Sequence, residues 1–353
     1  MSYNRFKTPR AYVDLLSYLL TTGWRTLDNY ALIQDDGSTA VTLDAGIKAN
    51  MFDLKPHTFA QIAHDTKRFY LNIDTGFGSD SLAETSFLAI LNHNMHDADV
   101  SFNVKVDDDV NFASATIVTT SGLHDKIINA EQNVDDQTTH IHPSNNGWTL
   151  ITWNTATSDN RYMRITFSER SSSSQNFDED LIIGGILFGE YFDFPNSPDL
   201  GINTDIIYDN VSLQRSIGGG EFANATNLGQ PDWNHTTPWA LSTTSNQQTY
   251  GFNKRHGRMR HSMNFSYLTD TDVFAESAGS FEGTYGKWFD STNIHNSFFN
   301  KVVGQHTPFL FSIDSTSSEV GDYGLFRVGQ DTFFTEQVAH KIYNTSLDLI
   351  ETW

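Results

Sequence analysis

His140 and His142 stand two positions apart in the run THIHP, and on a strand that spacing would turn both imidazoles to one face, as a metal chelate needs. Zinc requires further donors and none stands nearby in sequence, so a solvated loop pair is the preferred reading. Asp107, Asp108 and Asp109 offer oxygens to calcium, but the glycine and spacing of an EF-hand loop are missing. A charged strand end that discourages edge-to-edge pairing accounts for them better. The 43 acidic residues would supply many carboxylate pairs for glycoside hydrolysis, yet that chemistry depends on separation in space, which sequence spacing does not fix. No GxSxG elbow, P-loop or HExxH is present, and the glycines of Ile217–Gly220 lack the following lysine and helix start of a phosphate cradle. A sheet bulge or flexible loop is expected there.

Two further groups are suited to contact. Asn92, His93 and Asn94 form a polar knot after an apolar run, the composition that hydrogen-bonds neighbouring loop backbone, and are read as structural. Trp233 and Trp239 lie in a stretch rich in Asn, Thr and Pro, where an indole would stack on a sugar ring or anchor a protein interface. The competing reading folds them back onto their own sandwich. No catalytic residue, metal site or cofactor is expected, and the chain is read as a non-enzyme.

The elements that must position these residues are mostly strands. The 353 residues are 38% hydrophobic and 13% aromatic, with 26 Phe and 13 Tyr, which suits pleated surfaces. A formal charge of -21 repels nucleic acid and anionic membranes. With no cysteine there are no disulfides or thiolate ligands. No apolar run approaches the roughly 18 residues needed to span a bilayer. The start does not read as a secretory leader, because Asp14 interrupts its apolar segment and no small-residue cleavage site follows.

Tyr12–Leu20 has helical spacing and predicts one short helix or an ordered arm. Arg68–Asp74, Val100–Val106 and Arg161–Phe167 alternate as strands with one wet face, Phe87–Leu91 reads as a buried strand, and Ala115–Thr119 and Trp148–Trp153 as two more. Leu181–Phe188 carries Gly184 and Gly185, with Gly189 just beyond, and is read as a strand with a bulge or a close backbone approach. It is expected to form a closing hairpin with Arg161–Phe167 across the polar loop SSSSQNFDED. The prolines of DFPNSPD mark a boundary, giving an N-terminal arm and sandwich over 1–195, a linker over 196–204 and a second β domain over 205–353. In the second domain Asp205–Leu213 and Arg258–Tyr267 are strands. Ser291–Gly304 is the flanking helix, capped by Ser291 or Thr292, and Phe309–Ile313 pairs with Leu325–Val328 before a last strand at Ser346–Trp353.

The runs FLAILNHNMHDADVSFNV, RYMRITFSE and LIIGGILFGEYFDFP carry a resemblance to the galactose-binding-like (discoidin-type) jelly rolls found in tail and virion proteins of tailed bacteriophages. The first looks like that family's strand, Asn/His-Asn knot and next strand; the other two look like its paired closing strands. From YDNVSLQRSIGGGEFANA to LDLIETW the chain is similar to virion structural or distal tail proteins encoded by marine tailed phages, with RMRHSMNFSYLTDTDVF and the helix before PFLFSID carrying the likeness. The resemblance implies two β-sandwich domains, an N-terminal jelly roll and a C-terminal tail-tube or distal-tail-like sandwich with one flanking helix. It further implies a structural component of a phage tail tip or baseplate, assembled in the host cytoplasm into a homo-oligomeric ring that joins the tail tube to receptor-binding parts. Its partners would be copies of itself and other tail proteins, with neither nucleic acid nor membrane insertion. The alternative is an adhesin that binds host surface polysaccharide.

Overall fold

The computed structural model describes residues 6–55, 58–76, 85–135, 137–154, 161–208, 211–225, 257–273 and 293–352. The fold is mostly β. The first half contributes β1 (Arg10–Asp14), β2 (Tyr30–Gln34), β3 (Leu43–Gly46), β4 (Ala60–Ile62), β5 (Arg68–Asp74), β6 (Thr85–His93), β7 (Val100–Asp107), β8 (Thr116–Ile117), β9 (His124–Ile128), β10 (Ala130–Gln132), β11 (Ile141–Pro143), β12 (Gly147–Asn154), β13 (Tyr162–Glu169), β14 (Leu181–Ile183) and β15 (Gly185–Asp193). The second half contributes β16 (Asn203–Ile207), β17 (Val211–Arg215), β18 (Glu221–Ala225), β19 (Arg258–Leu268), β20 (Phe309–Ser312), β21 (Tyr323–Val328), β22 (Thr335–Ala339) and β23 (Ile342–Glu351).

One long sheet runs β16-β19-β23-β21-β20-β1-β15-β6-β12-β9, with β22 paired to β23, so strands of both halves share a single hydrogen-bonded ladder across the connection expected as a linker. β1 is the seam: it is antiparallel to β15, with Arg10 opposite Asp193, and to β20, with Arg10 opposite Ser312. The expected single helix or arm at Tyr12–Leu20 is therefore corrected to a strand followed by helix α1 (Leu15–Thr21). Asp14 divides the two, because its carboxylate accepts the amides of Leu16 and Ser17 at 3.2 and 3.0 Å and starts the helix just where the strand ends.

A second sheet, β10-β11-β7-β13-β5-β2 with β8 on β7, faces the N-terminal part of the long sheet. Between them lie Leu88, Ile90, Ile151, Trp153 and Phe188 from the long sheet and Phe69, Leu71, Phe102, Ile165 and Phe167 from the shorter one. In the C-terminal half the same face of the long sheet meets a π-helical turn, Ile294–Phe299, and there Phe298 and Val302 pack with Phe265, Phe309, Phe311 and Phe194. The opposite face carries a third cluster that crosses the seam: Phe87, Ala89, Leu91, Leu150 and Leu187 from one half meet Leu310 and Leu325 from the other, with Tyr12 between. A strand buried on both faces has no polar alternation. That is why Phe87–Leu91 is apolar at every position.

Further expectations change. Arg161–Phe167 and Leu181–Phe188 do not pair: β13 lies between β5 and β7 in the short sheet, whereas β15 lies between β1 and β6 in the long one. Both runs put apolar side chains into cores, and the polar loop between them leads from the short sheet to β14, which pairs with β4 in a small separate sheet β14-β4-β3. Gly184 is where the second run breaks into β14 and β15, since a Cβ there would lie 2.6 Å from the Cβ of Asn92. Asp205–Leu213 is two strands rather than one, and Ile217–Gly220 forms the turn of the β17–β18 hairpin, with Gly219 at φ +85° and the Ser216 amide donating to the Gly220 carbonyl at 2.8 Å. The helix expected at Ser291–Gly304 is the shorter π turn, capped by Asn293, whose side chain accepts the Asn296 amide at 2.8 Å. Residues 291 and 292 lie outside the described residues.

Candidate functional site

At one end of the N-terminal sandwich the β6–β7 turn, the residue before β12, the loop after β13 and the segment between β4 and β5 bring polar side chains together. The Asn92-His93-Asn94 knot lies beneath them, with Asn94 at the floor. Asn92 adopts φ +51°, a left-handed conformation that asparagine tolerates better than most side chains. The His93 ring is fully buried; its Nδ1 accepts the Met95 amide at 3.3 Å, which leaves the proton on Nε2 to reach the Thr149 hydroxyl at 3.0 Å. Burial, reinforced by His96 nearby, pushes its pKa down to about 3, so the ring is neutral. Asn94 pins β14: it donates to the Asp180 carbonyl at 2.8 Å and accepts the Ile182 amide at 2.7 Å.

Above this floor opens a depression of about 470 Å³ lined by His64, Asn94, Asp178, Glu179, Asp180 and Ile182. Asp180 is held in one orientation. One carboxylate oxygen takes the His64 amide at 2.9 Å and lies 2.9 Å from His64 Nδ1, and the other accepts Gln61 Nε2 at 2.8 Å. The bond to His64 is the main cause of a lowered Asp180 pKa and, seen from the ring, of a raised one for His64. Asp178 and Glu179 stand beside this fixed carboxylate. Around the rim, Asp97 and Asn146 bind each other reciprocally: the Asp97 amide donates to Asn146 Oδ1 at 3.2 Å, and Asn146 Nδ2 donates to the Asp97 carboxylate at 2.6 Å. A shallow site walled by one oriented carboxylate, two further acidic side chains and an imidazole edge is equipped to accept and donate hydrogen bonds to a polyhydroxylated ligand.

His140 and His142 are corrected from a solvated loop pair to buried side chains, 7% and 1% exposed, because β11 is packed between β10 and β7. Burial lowers each pKa to about 4, helped for His140 by Lys105 and Arg68 and for His142 by Arg170 and His96. His142 Nε2 lies 4.0 Å from the Asp99 carboxylate, beyond hydrogen-bond range. Asp107 closes a turn, accepting the amides of Asp109 and Ser114 at 3.2 and 3.1 Å. Among the described residues no group of three or more His, Asp or Glu side chains is placed to hold a metal ion. Trp233 and Trp239 lie outside the described residues. Sequence reasoning passed over His64, Gln61 and Asp178–Asp180; the available signal was the acidic triplet of FDEDLII next to an apolar run.

No protein-family model and no curated protein matches the chain. Among solved structures it is similar to the CBM32 of AlyQ in complex with 4,5-unsaturated mannuronic acid, at 19% identity over 42% of this chain and 93% of that one, with a TM-score of 0.25. It is also similar to CBM32-1 from a family 31 glycoside hydrolase of Clostridium perfringens, at 9% identity over 42% of this chain and 87% of that one, with a TM-score of 0.27. A third likeness is to a GH29 fucosidase of Ruminococcus gnavus in complex with fucose, at 12% identity over 50% of this chain and 26% of that one, with a TM-score of 0.27. At these TM-scores the likenesses assign this chain neither a family nor a ligand; what it stands on is its own mostly-β architecture.

Proposed function

We propose that the chain is a glycan-binding β protein that binds without turnover, using the polar end of its N-terminal sandwich. The observation that carries this reading is the open depression in which Asp180 is locked by His64 and Gln61 with Asp178 and Glu179 alongside. A carboxylate already fixed, with two more beside it, accepts hydroxyls with less to be ordered first, so less free energy is lost on binding. The test is a glycan array followed by calorimetry. Asp180→Asn and Asp178→Asn should each remove the array signal while the unfolding midpoint stays close to that of the parent; an array blank for every bacterial envelope sugar sinks the reading.

A second reading, a ring-forming component of a phage tail tip or baseplate carried in the virion, is favoured by a different observation. Hairpin β17–β18 pairs with no other strand among the described residues and exposes Leu213 (73%) and Phe222 (64%), with Ile217 at its turn. Isolated two-stranded ribbons are marginal in water, and an exposed apolar one is suited to burial against a neighbouring subunit. Light scattering of the purified chain and mass spectrometry of intact particles decide it: a monomer that is absent from particles rules this role out.

A further inference from the structure

A second cavity, of about 210 Å³, lies on the seam between the two halves and shares no lining residue with the polar end. Its N-terminal wall is helix α1 with Phe52, Asp53 and Leu54; its C-terminal wall is the turn His306–Pro308 with Arg327. Two features of the C-terminal wall are unexplained by folding alone. Thr307 is 2% exposed, yet its hydroxyl has no hydrogen-bond partner among the described residues, an arrangement that folded proteins avoid. Arg327 has no carboxylate within ion-pair distance among the described residues. Its Nε donates to the Thr352 hydroxyl at 3.3 Å and its Nη1 to the carbonyls of His306 and Gln305. Burial lowers its pKa, and among the described residues no neighbouring anion offsets it.

We propose that this cleft binds a small organic carboxylate, with the Arg327 guanidinium as its counter-ion and the Thr307 hydroxyl as a donor to it. A planar guanidinium matches a planar carboxylate, and Leu20, Phe52 and Leu54 give the carbon skeleton an apolar wall. The charge of the ligand is limited to one. Among the described residues Arg327 is the one lysine or arginine lining the cleft, and Asp53 stands in the other wall, its oxygens engaged by the Lys55 amide at 3.0 Å and the Thr58 hydroxyl at 2.8 Å. A phosphate dianion would meet that carboxylate uncompensated. Leu54 at φ +52° is backbone strain at the edge of the same cleft, of the kind that persists where surroundings hold a site in shape.

The full chain is titrated with sodium benzoate, sodium glucuronate and glucose, followed by saturation-transfer NMR and calorimetry. At least one carboxylate should bind saturably and glucose should not, with affinity falling about tenfold or more in Arg327→Met. Because Arg327 also ties the 305–306 turn to Thr352, Thr307→Val serves as the second variant. It removes an unpartnered hydroxyl without changing shape, should leave circular dichroism unaltered, and should weaken binding severalfold. Absence of saturable binding by both carboxylates, equal binding of glucose, or a Thr307→Val chain with parental affinity each overturns the proposal.

Discussion

The seam at β1 and the polar end of the sandwich use the same side-chain types to opposite effect. Along β1 the enclosed charges meet a partner: Lys301 Nζ lies 2.5 Å from the Glu190 carboxylate with side chains 3% and 10% exposed, and the buried Arg10 donates twice to the more exposed Asp193 at 2.6 and 2.8 Å while its guanidinium sits 3.8 Å over the Tyr191 ring. At the polar end, Asp178 and Glu179 stand in an open depression where water is at hand. Enclosure forces a charge to be satisfied internally and makes it structural; openness leaves it capacity for a visitor.

The contrast is tested most severely at the seam. Lys301→Met strands the Glu190 carboxylate among apolar neighbours and should cost about 3–5 kcal/mol in denaturant unfolding, with much of the loss recovered when Glu190→Leu is added. A loss below about 1 kcal/mol would mean that water reaches the seam. Next in size is acid sensitivity. His142 has a folded pKa of about 4 against 6.5 unfolded, so the unfolded chain takes up its proton first, and the stability His142 contributes above pH 6.5 is lost as pH falls towards 4. That amounts to roughly 3 kcal/mol by pH 4, and His140 and His93 act in the same direction. Asp14 acts the opposite way: burial raises its pKa to about 6, so the contribution it makes below its unfolded value of 3.8 is lost as pH rises through 6. Stability curves at stepped pH for the parent and His142→Phe separate these terms. The variant should be the less acid-sensitive of the two.

Asp14→Ala should cost about 2–3 kcal/mol by thermal unfolding, since it removes the helix cap and also strands the Phe188 amide, which donates to the same carboxylate at 3.0 Å. The smallest stability effect belongs to the polar end. Asp180→Asn should leave the unfolding midpoint almost unmoved and weaken glycan binding about tenfold or more. If that substitution unfolds the chain instead, the polar end is as structural as the seam and the distinction collapses.

What could be read in the sequence follows from the same physics. Alternation revealed β5, β7 and β13, although the face expected to be wet is open only in β5 and the start of β13 and in β7 is largely buried, with Ser101 and Asn103 covered; the unbroken run of β6 was legible because both its faces are dry. Pairing was less legible. Neighbouring strands in a chain pair more often than not, yet β13 and β15 belong to facing sheets, and a polar loop reads the same whether it turns a hairpin or leads to another sheet. The depression was invisible because Gln61 and His64 meet Asp180 across more than a hundred residues, and no periodicity links them. The burial of His140 and His142 was missed because a three-residue strand is too short for a pattern.

The position of β1 also constrains the order of events during synthesis. Its residues leave the ribosome well before their partners, and their two ladders close only on Asp193 and later on Ser312. Arg10 and Tyr12 must therefore wait for β15 and then, longer, for β20 to complete their two ladders, so long-range closure sets the pace of folding. A nascent chain halted before residue 309 would hold the lone edge of β1 open to any passing strand, and this is where a chaperone would be needed.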